Sequence, residues 1–139
     1  MDQMARDFAD KAHFIFVYVR EAHPDDNPNY PEHRTIEQKF KHAHAMQDKH
    51  KTPRQIVVDG LDGDVHRLYG GIPNMSWIID HTGRVAYKAG WTIAPEIREA
   101  LDDTIRSRQL KREASEKGLN FRTYYKESVS ALKSGRAAL

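Results

Sequence analysis

The sequence predicts a mixed α/β domain with one core, and three features carry that expectation. Phe14-Ile15-Phe16-Val17-Tyr18-Val19 is an apolar run without polar alternation, as expected of a parallel strand covered on both faces. Thr35-Ile36-Glu37-Gln38, beyond the loop that follows, has the form of a capping box opening a helix. Residues 75–80 and 84–88 flank a glycine turn like the arms of a β-hairpin, and an amphipathic helix comes next. A length of 139 residues suits a single core.

In order along the chain, Met1, Met4, Ala5, Phe8 and Ala12 recur near the helical period, so residues 1–11 are expected to be a helix. Pro24, Asp25, Asp26, Asn27, Pro28, Asn29 and Pro31 make a turn-rich loop after the first strand. Behind the capping box, Ile36, Phe40 and Ala43 line one helix face, and the helix should run to about His50 before Pro53 breaks it. Gln55-Ile56-Val57-Val58-Asp59 is a short strand, and residues 65–69 form a helical turn that Gly70-Gly71 closes. In the last helix Pro95 suits the first turn, and Ile97, Leu101 and Ile105 form its stripe. Its first half should pack and its second half project, with Gly118 ending it. Phe121, Tyr124, Tyr125, Val129 and Leu132 form a final amphipathic segment that must cover or bind something. These patterns divide the chain into a domain at 1–105 and a basic helical extension at 106–139.

The net charge of +2 hides an asymmetry, because residues 105–139 hold nine basic and three acidic side chains, +6 net, which leaves −4 for residues 1–104. A basic tail of this kind is most simply a solvated helix, and a nucleic-acid partner is not expected. The absence of cysteine rules out a disulfide, a zinc thiolate and unaided thiol catalysis. No apolar run approaches the roughly 20 residues of a membrane helix, so a soluble, cytoplasmic protein is expected.

The order helix, parallel strand, helix, short strand, Gly-Ile-Pro, hairpin, helix resembles the thioredoxin fold from its first active-site helix onward. Gly71-Ile72-Pro73 resembles that fold's cis-proline loop. A closer resemblance lies in four segments. Tyr18-Val19-Arg20-Glu21-Ala22-His23-Pro24 is similar to a strand-end motif of the iodothyronine deiodinases, and Tyr30-Pro31-Glu32-His33-Arg34-Thr35-Ile36-Glu37 to the motif opening their next helix. Val57-Val58-Asp59, then Tyr69-Gly70, Ile78-Ile79 and the segment from Gly83 to Gly90 follow in the family's order. The resemblance implies a thioredoxin-like fold and an oxidoreductase in which a selenocysteine or cysteine takes iodine from an aromatic ring, with a thiol reductant behind it. It also implies that His23 and His33, with Tyr18 and Glu21, hold and polarise the substrate or move its proton. The chemistry is reasonable, because neutral imidazole exchanges protons near neutral pH.

This sequence departs from the family in two places. The family's nucleophile lies ahead of residues 1–11, after a strand that these residues do not contain, and Trp91 follows Gly90 where deiodinases carry an arginine. The expected fold is therefore thioredoxin-like without its N-terminal strand and active-site loop, and the alternative function is an inactive binding or assembly module. The missing strand would lie between residues 14–19 and residues 75–79. Upstream residues of the natural protein can fill that gap, the two neighbours can pair directly, or another chain can supply a strand. A homodimer or protein partner through the open sheet edge and the C-terminal tail is the expectation.

Two further clusters point to simpler roles. His42, His44 and His50 share one helix, but the first two, two residues apart, point about 200° from each other, with His44 expected near the apolar stripe, so no metal site and no cofactor are expected there. Asp59, Asp62 and Asp64 lack the distal glutamate of a calcium loop and are expected to be turn formers.

Overall fold

Helix α1 (Asp2–Asp7) is shorter than the 1–11 expected, because the chain turns at Phe8, whose carbonyl accepts from both Lys11 and Ala12. With no side-chain cap, this helix is held from outside. Asp2 binds Arg54 at 2.7 Å and Thr52 at 2.8 Å, and Asp7 pairs with Arg98. Its inward residues Met4 and Ala5, together with Phe8, are buried. The computed structural model describes residues 1–21, 24–26 and 28–119. His23 and the segment from Phe121 to Leu132 lie outside these residues.

Strand β1 (Ile15–Tyr18) pairs in parallel with β2 (Gln55–Val58), Ile15 opposite Gln55 and Tyr18 opposite Val58. The crossover between them contains a short 3-10 turn at Pro24–Asp26 and α2 (Ile36–His50), which packs on β2. The capping box is present as expected. Thr35 Oγ1 accepts from the Gln38 N–H at 3.3 Å, and Gln38 Oε1 accepts from the Arg34 and Thr35 N–H groups. Lys51 ends α2 in the left-handed region, just ahead of Pro53.

Helix α3 (Asp64–Leu68) follows β2, and Gly71 closes it by donating back to the His66 carbonyl at 2.7 Å. The hairpin of β3 (Ser76–Ile79) and β4 (Val85–Ala89) is antiparallel with a bulge at Ile78/Ile79. Asp80 organises its turn by accepting from the Thr82 hydroxyl and from the Thr82 and Arg84 N–H groups. Helix α4 (Ala94–Glu116) buries Ile97 and Leu101 and leaves Leu110 exposed. Gly118, at φ +67°, ends it as expected, and Leu119 donates to the Ala114 carbonyl. The chain divides into two compact units, Met1–Asp102 and Asp103–Leu139.

Three expectations are corrected. Residues 14–19 are not covered on both faces: Tyr18 is buried, but Phe16 and Val17 are half-buried and Ile15 is 56 % exposed. The reason is topological, since the strands form two separate two-stranded sheets and β1 and β3 do not pair. Direct pairing across the gap is thus not the solution adopted among the described residues. Second, no described peptide bond is cis, so the Ile72–Pro73 bond is trans. That loop is exposed and offers little packing to hold the costlier isomer. Third, the inner face of α2 is rotated from the one expected. Lys39 and Ala43 are buried and His42 turns inward, whereas Phe40 and His44 are exposed.

Candidate functional site

Tyr18 is the last residue of β1, and its backbone carbonyl accepts from the Asp59 N–H at 3.1 Å, which holds the strand end in register with β2. Three residues on, Glu21 returns its carboxylate to Tyr18, whose hydroxyl donates to Glu21 Oε1. His33 comes from the segment before α2 and His42 from the second turn of that helix. All four side chains meet. His33 Nε2 lies 3.3 Å from the Tyr18 hydroxyl and 3.0 Å from His42 Nδ1, while Glu21 Oε1 is 3.8 Å from His33 Nε2 and 3.7 Å from His42 Nδ1. The rings pack edge to face or tilted, Tyr18 on His33 at 5.5 Å, His33 on His42 at 4.9 Å and Tyr30 on His42 at 5.2 Å between centroids.

Burial grades outward through the cluster, with side-chain exposures of 5 % for His33, 13 % for His42 and 24 % for Glu21. The outer members open on a cleft of about 160 Å³ lined by Tyr18, Glu21, Tyr30, His42, Met46, Lys49 and His50. Burial and the neighbouring His42 push the His33 imidazole below its ordinary pKa, against the opposing pull of Glu21. His33 is therefore a neutral base near neutral pH. Burial raises the Tyr18 phenol, and the hydrogen bond to Glu21 and that carboxylate's charge raise it further, so Tyr18 keeps its proton. The arrangement can pass a proton between a phenol, a carboxylate and two imidazoles, with one side open to solvent.

Tyr18, Glu21 and His33 are thus brought together by the fold. Ile72 and Pro73 are exposed and do not line this cleft. Sequence reasoning set His42 aside with His44. The missed signal was the spacing of Lys39, His42, Ala43 and Met46, which puts His42 on the inward face and His44 off it.

The family model for iodothyronine deiodinase matches residues 1–102, which contain the whole cluster. The chain belongs to the iodothyronine deiodinase family. Among its relatives, a type II iodothyronine deiodinase of Fundulus heteroclitus is 30 % identical over 63 % of this chain and 37 % of its own length. A thyroxine 5-deiodinase of Sparus aurata is 31 % identical over 60 % of this chain and 33 % of its own. A type II iodothyronine deiodinase of Neoceratodus forsteri is 28 % identical over 76 % and 45 %. The chain therefore spans less than half the length of these deiodinases. No solved structure matches it significantly.

Proposed function

We propose that this chain is the acid–base half of a deiodinase-type oxidoreductase. In this reading a selenol or thiol outside these 139 residues attacks iodine on an aromatic ring, and the ring–iodine bond breaks as the ring carbon takes a proton. A thiol reductant then returns the selenenyl or sulfenyl iodide to the free nucleophile, with release of iodide and oxidation of the thiol. Tyr18, Glu21 and His33 supply and conduct the proton. The observation that carries this role is the Tyr18 hydroxyl, which donates to Glu21 and lies 3.3 Å from the neutral His33 imidazole. The parallel β1–α2–β2 unit followed by a hairpin and α4 supports the thioredoxin-like reading.

With no cysteine, the chain alone is inactive in this account. The test has two arms, turnover and binding. Incubation with dithiothreitol and an iodinated phenol should release iodide at the background rate, and release above it refutes the missing-nucleophile account. Titration with the same phenol, followed by nuclear magnetic resonance, should shift the ring signals of Tyr18 and His33. Shifts confined to residues outside this cluster and the lining of its cleft would remove the cleft as the substrate site.

A second function is favoured by the unpaired edge that each described strand retains. In it the chain is a binding module that pairs with a second copy of itself. Light scattering then gives a dimer mass, and a monomer at all concentrations excludes it.

A further inference from the structure

Three ligand-type atoms converge at the cluster: Glu21 Oε1, His33 Nε2 and His42 Nδ1. Tyr18 gives its hydroxyl proton to Glu21, so the two imidazole nitrogens, 3.0 Å apart, must have a shared proton or a cation between them. One carboxylate oxygen and two imidazole nitrogens thus face the same small space. We propose that Glu21, His33 and His42 form a binding site for a divalent transition-metal ion, with zinc as the preferred ion.

The distances fit that ion. Zinc bonds of 2.0–2.1 Å in a tetrahedron place ligand atoms about 3.4 Å apart. The observed separations of 3.0, 3.7 and 3.8 Å bracket this value, so each side chain need move by only a few tenths of an ångström to close on a metal. The donor set of two imidazole nitrogens and one carboxylate oxygen suits zinc and its transition-metal neighbours, and not magnesium or calcium, which prefer oxygen cages. The His33 side chain, 5 % exposed, is held in place by its contacts with Tyr18 and His42, so its Nε2 already faces the other two ligand atoms. The Tyr18 hydroxyl donates to Glu21 Oε1, the oxygen that faces the two imidazoles, and so fixes the carboxylate while using only one lone pair of that oxygen. The cleft leaves the remaining coordination position to water or a small anion. Lys49, on the same cleft, opposes the cation, but it is an exposed side chain free to turn to solvent.

The site ties the end of β1 to α2, so metal binding also stabilises the fold. It does not depend on the proton-transfer role above. The two are alternatives in occupancy, because a metal takes the lone pairs that proton transfer uses.

The untagged 139-residue chain is titrated with zinc by calorimetry, and with cobalt by visible absorption, which reports coordination geometry. One equivalent should bind, with d–d bands of a four- or five-coordinate site and a rise in melting temperature. His42→Ala and Glu21→Gln should each weaken binding by at least about tenfold. His44→Ala, on the exposed side of the same helix, should leave it unchanged. His33 is so buried that His33→Ala risks unfolding, so the two other ligand variants carry the test, with far-ultraviolet circular dichroism confirming that they fold. No binding by the native chain at micromolar zinc overturns the proposal. Equal binding by native chain and His42→Ala also overturns it, since the metal would then sit on surface histidines.

Discussion

Replacing Asp59 by alanine should destabilise the protein by about 2–4 kcal/mol, because one buried carboxylate closes the start of α3. Its Oδ1 accepts from the Val65 N–H at 3.1 Å and its Oδ2 from the His66 N–H at 3.0 Å. Gly63, at the N-cap position, contributes no side-chain bond, so nothing else satisfies those donors locally. Hydrogen bonds to a charged group contribute about 1.5–3 kcal/mol each, and the partial exposure of α3 lets water recover some of that. Asp59 also lies close enough to the buried Lys39 for the opposite charges to interact, and the Lys39 ammonium donates to the Gly60 carbonyl at 2.8 Å. Asp59→Asn keeps the shape and one acceptor, so it should cost about half as much. In urea, with a slope of about 2 kcal/mol per molar, the alanine variant should lower the midpoint by about 1–2 M. Although burial alone raises the Asp59 carboxyl, the N–H groups of His66 and Val65 and the charge of Lys39 outweigh it and hold its pKa below the usual value. The contribution is thus complete above about pH 4 and is lost as pH falls through the folded-state pKa. The gap between native protein and variant should narrow in acid. A midpoint shift below about 0.3 M near neutral pH, or a gap that widens on acidification, refutes the reasoning.

Thr35→Ala removes the acceptor for the Gln38 N–H and should cost about 1 kcal/mol, read as a lower melting temperature with fraying at the start of α2; an unchanged melting temperature removes the cap from the account. Asp80 is held down to about 2 by the Thr82 hydroxyl first and then the Arg84 N–H, so a carbon-detected titration of its carboxyl should find the midpoint there. Thr82→Val should return it toward the ordinary aspartate value, and a midpoint that does not move excludes the hydroxyl as the main cause.

Local chemistry was legible along the chain. The capping box at Thr35 and Gln38, the turn at Gly83 and the αL stop at Gly118 depend on residues within a few positions of each other, so their residue types suffice to specify them. The histidine motifs at His23 and His33 pointed to the family because they are short, contiguous and chemically unusual. Periodicity was less informative for α2. With Ile36, Phe40 and Ala43 competing against Lys39 and His42, only packing on β2 decided that Lys39 would go in, its ammonium bonded to the Gly60 carbonyl, and the ring of Phe40 would stay out.

The sequence by itself determined the order of helices and strands, the family, and the lack of any thiol, since each follows from residue types and their local spacing. Only the tertiary structure decided that the strands form two small sheets and leave Ile15 exposed, because pairing is set by partners far along the chain. It alone brought His42 against Glu21 and His33. A helix rotation of one residue, about 100°, moves a side chain from solvent to the interior, and burial against β2 set that rotation.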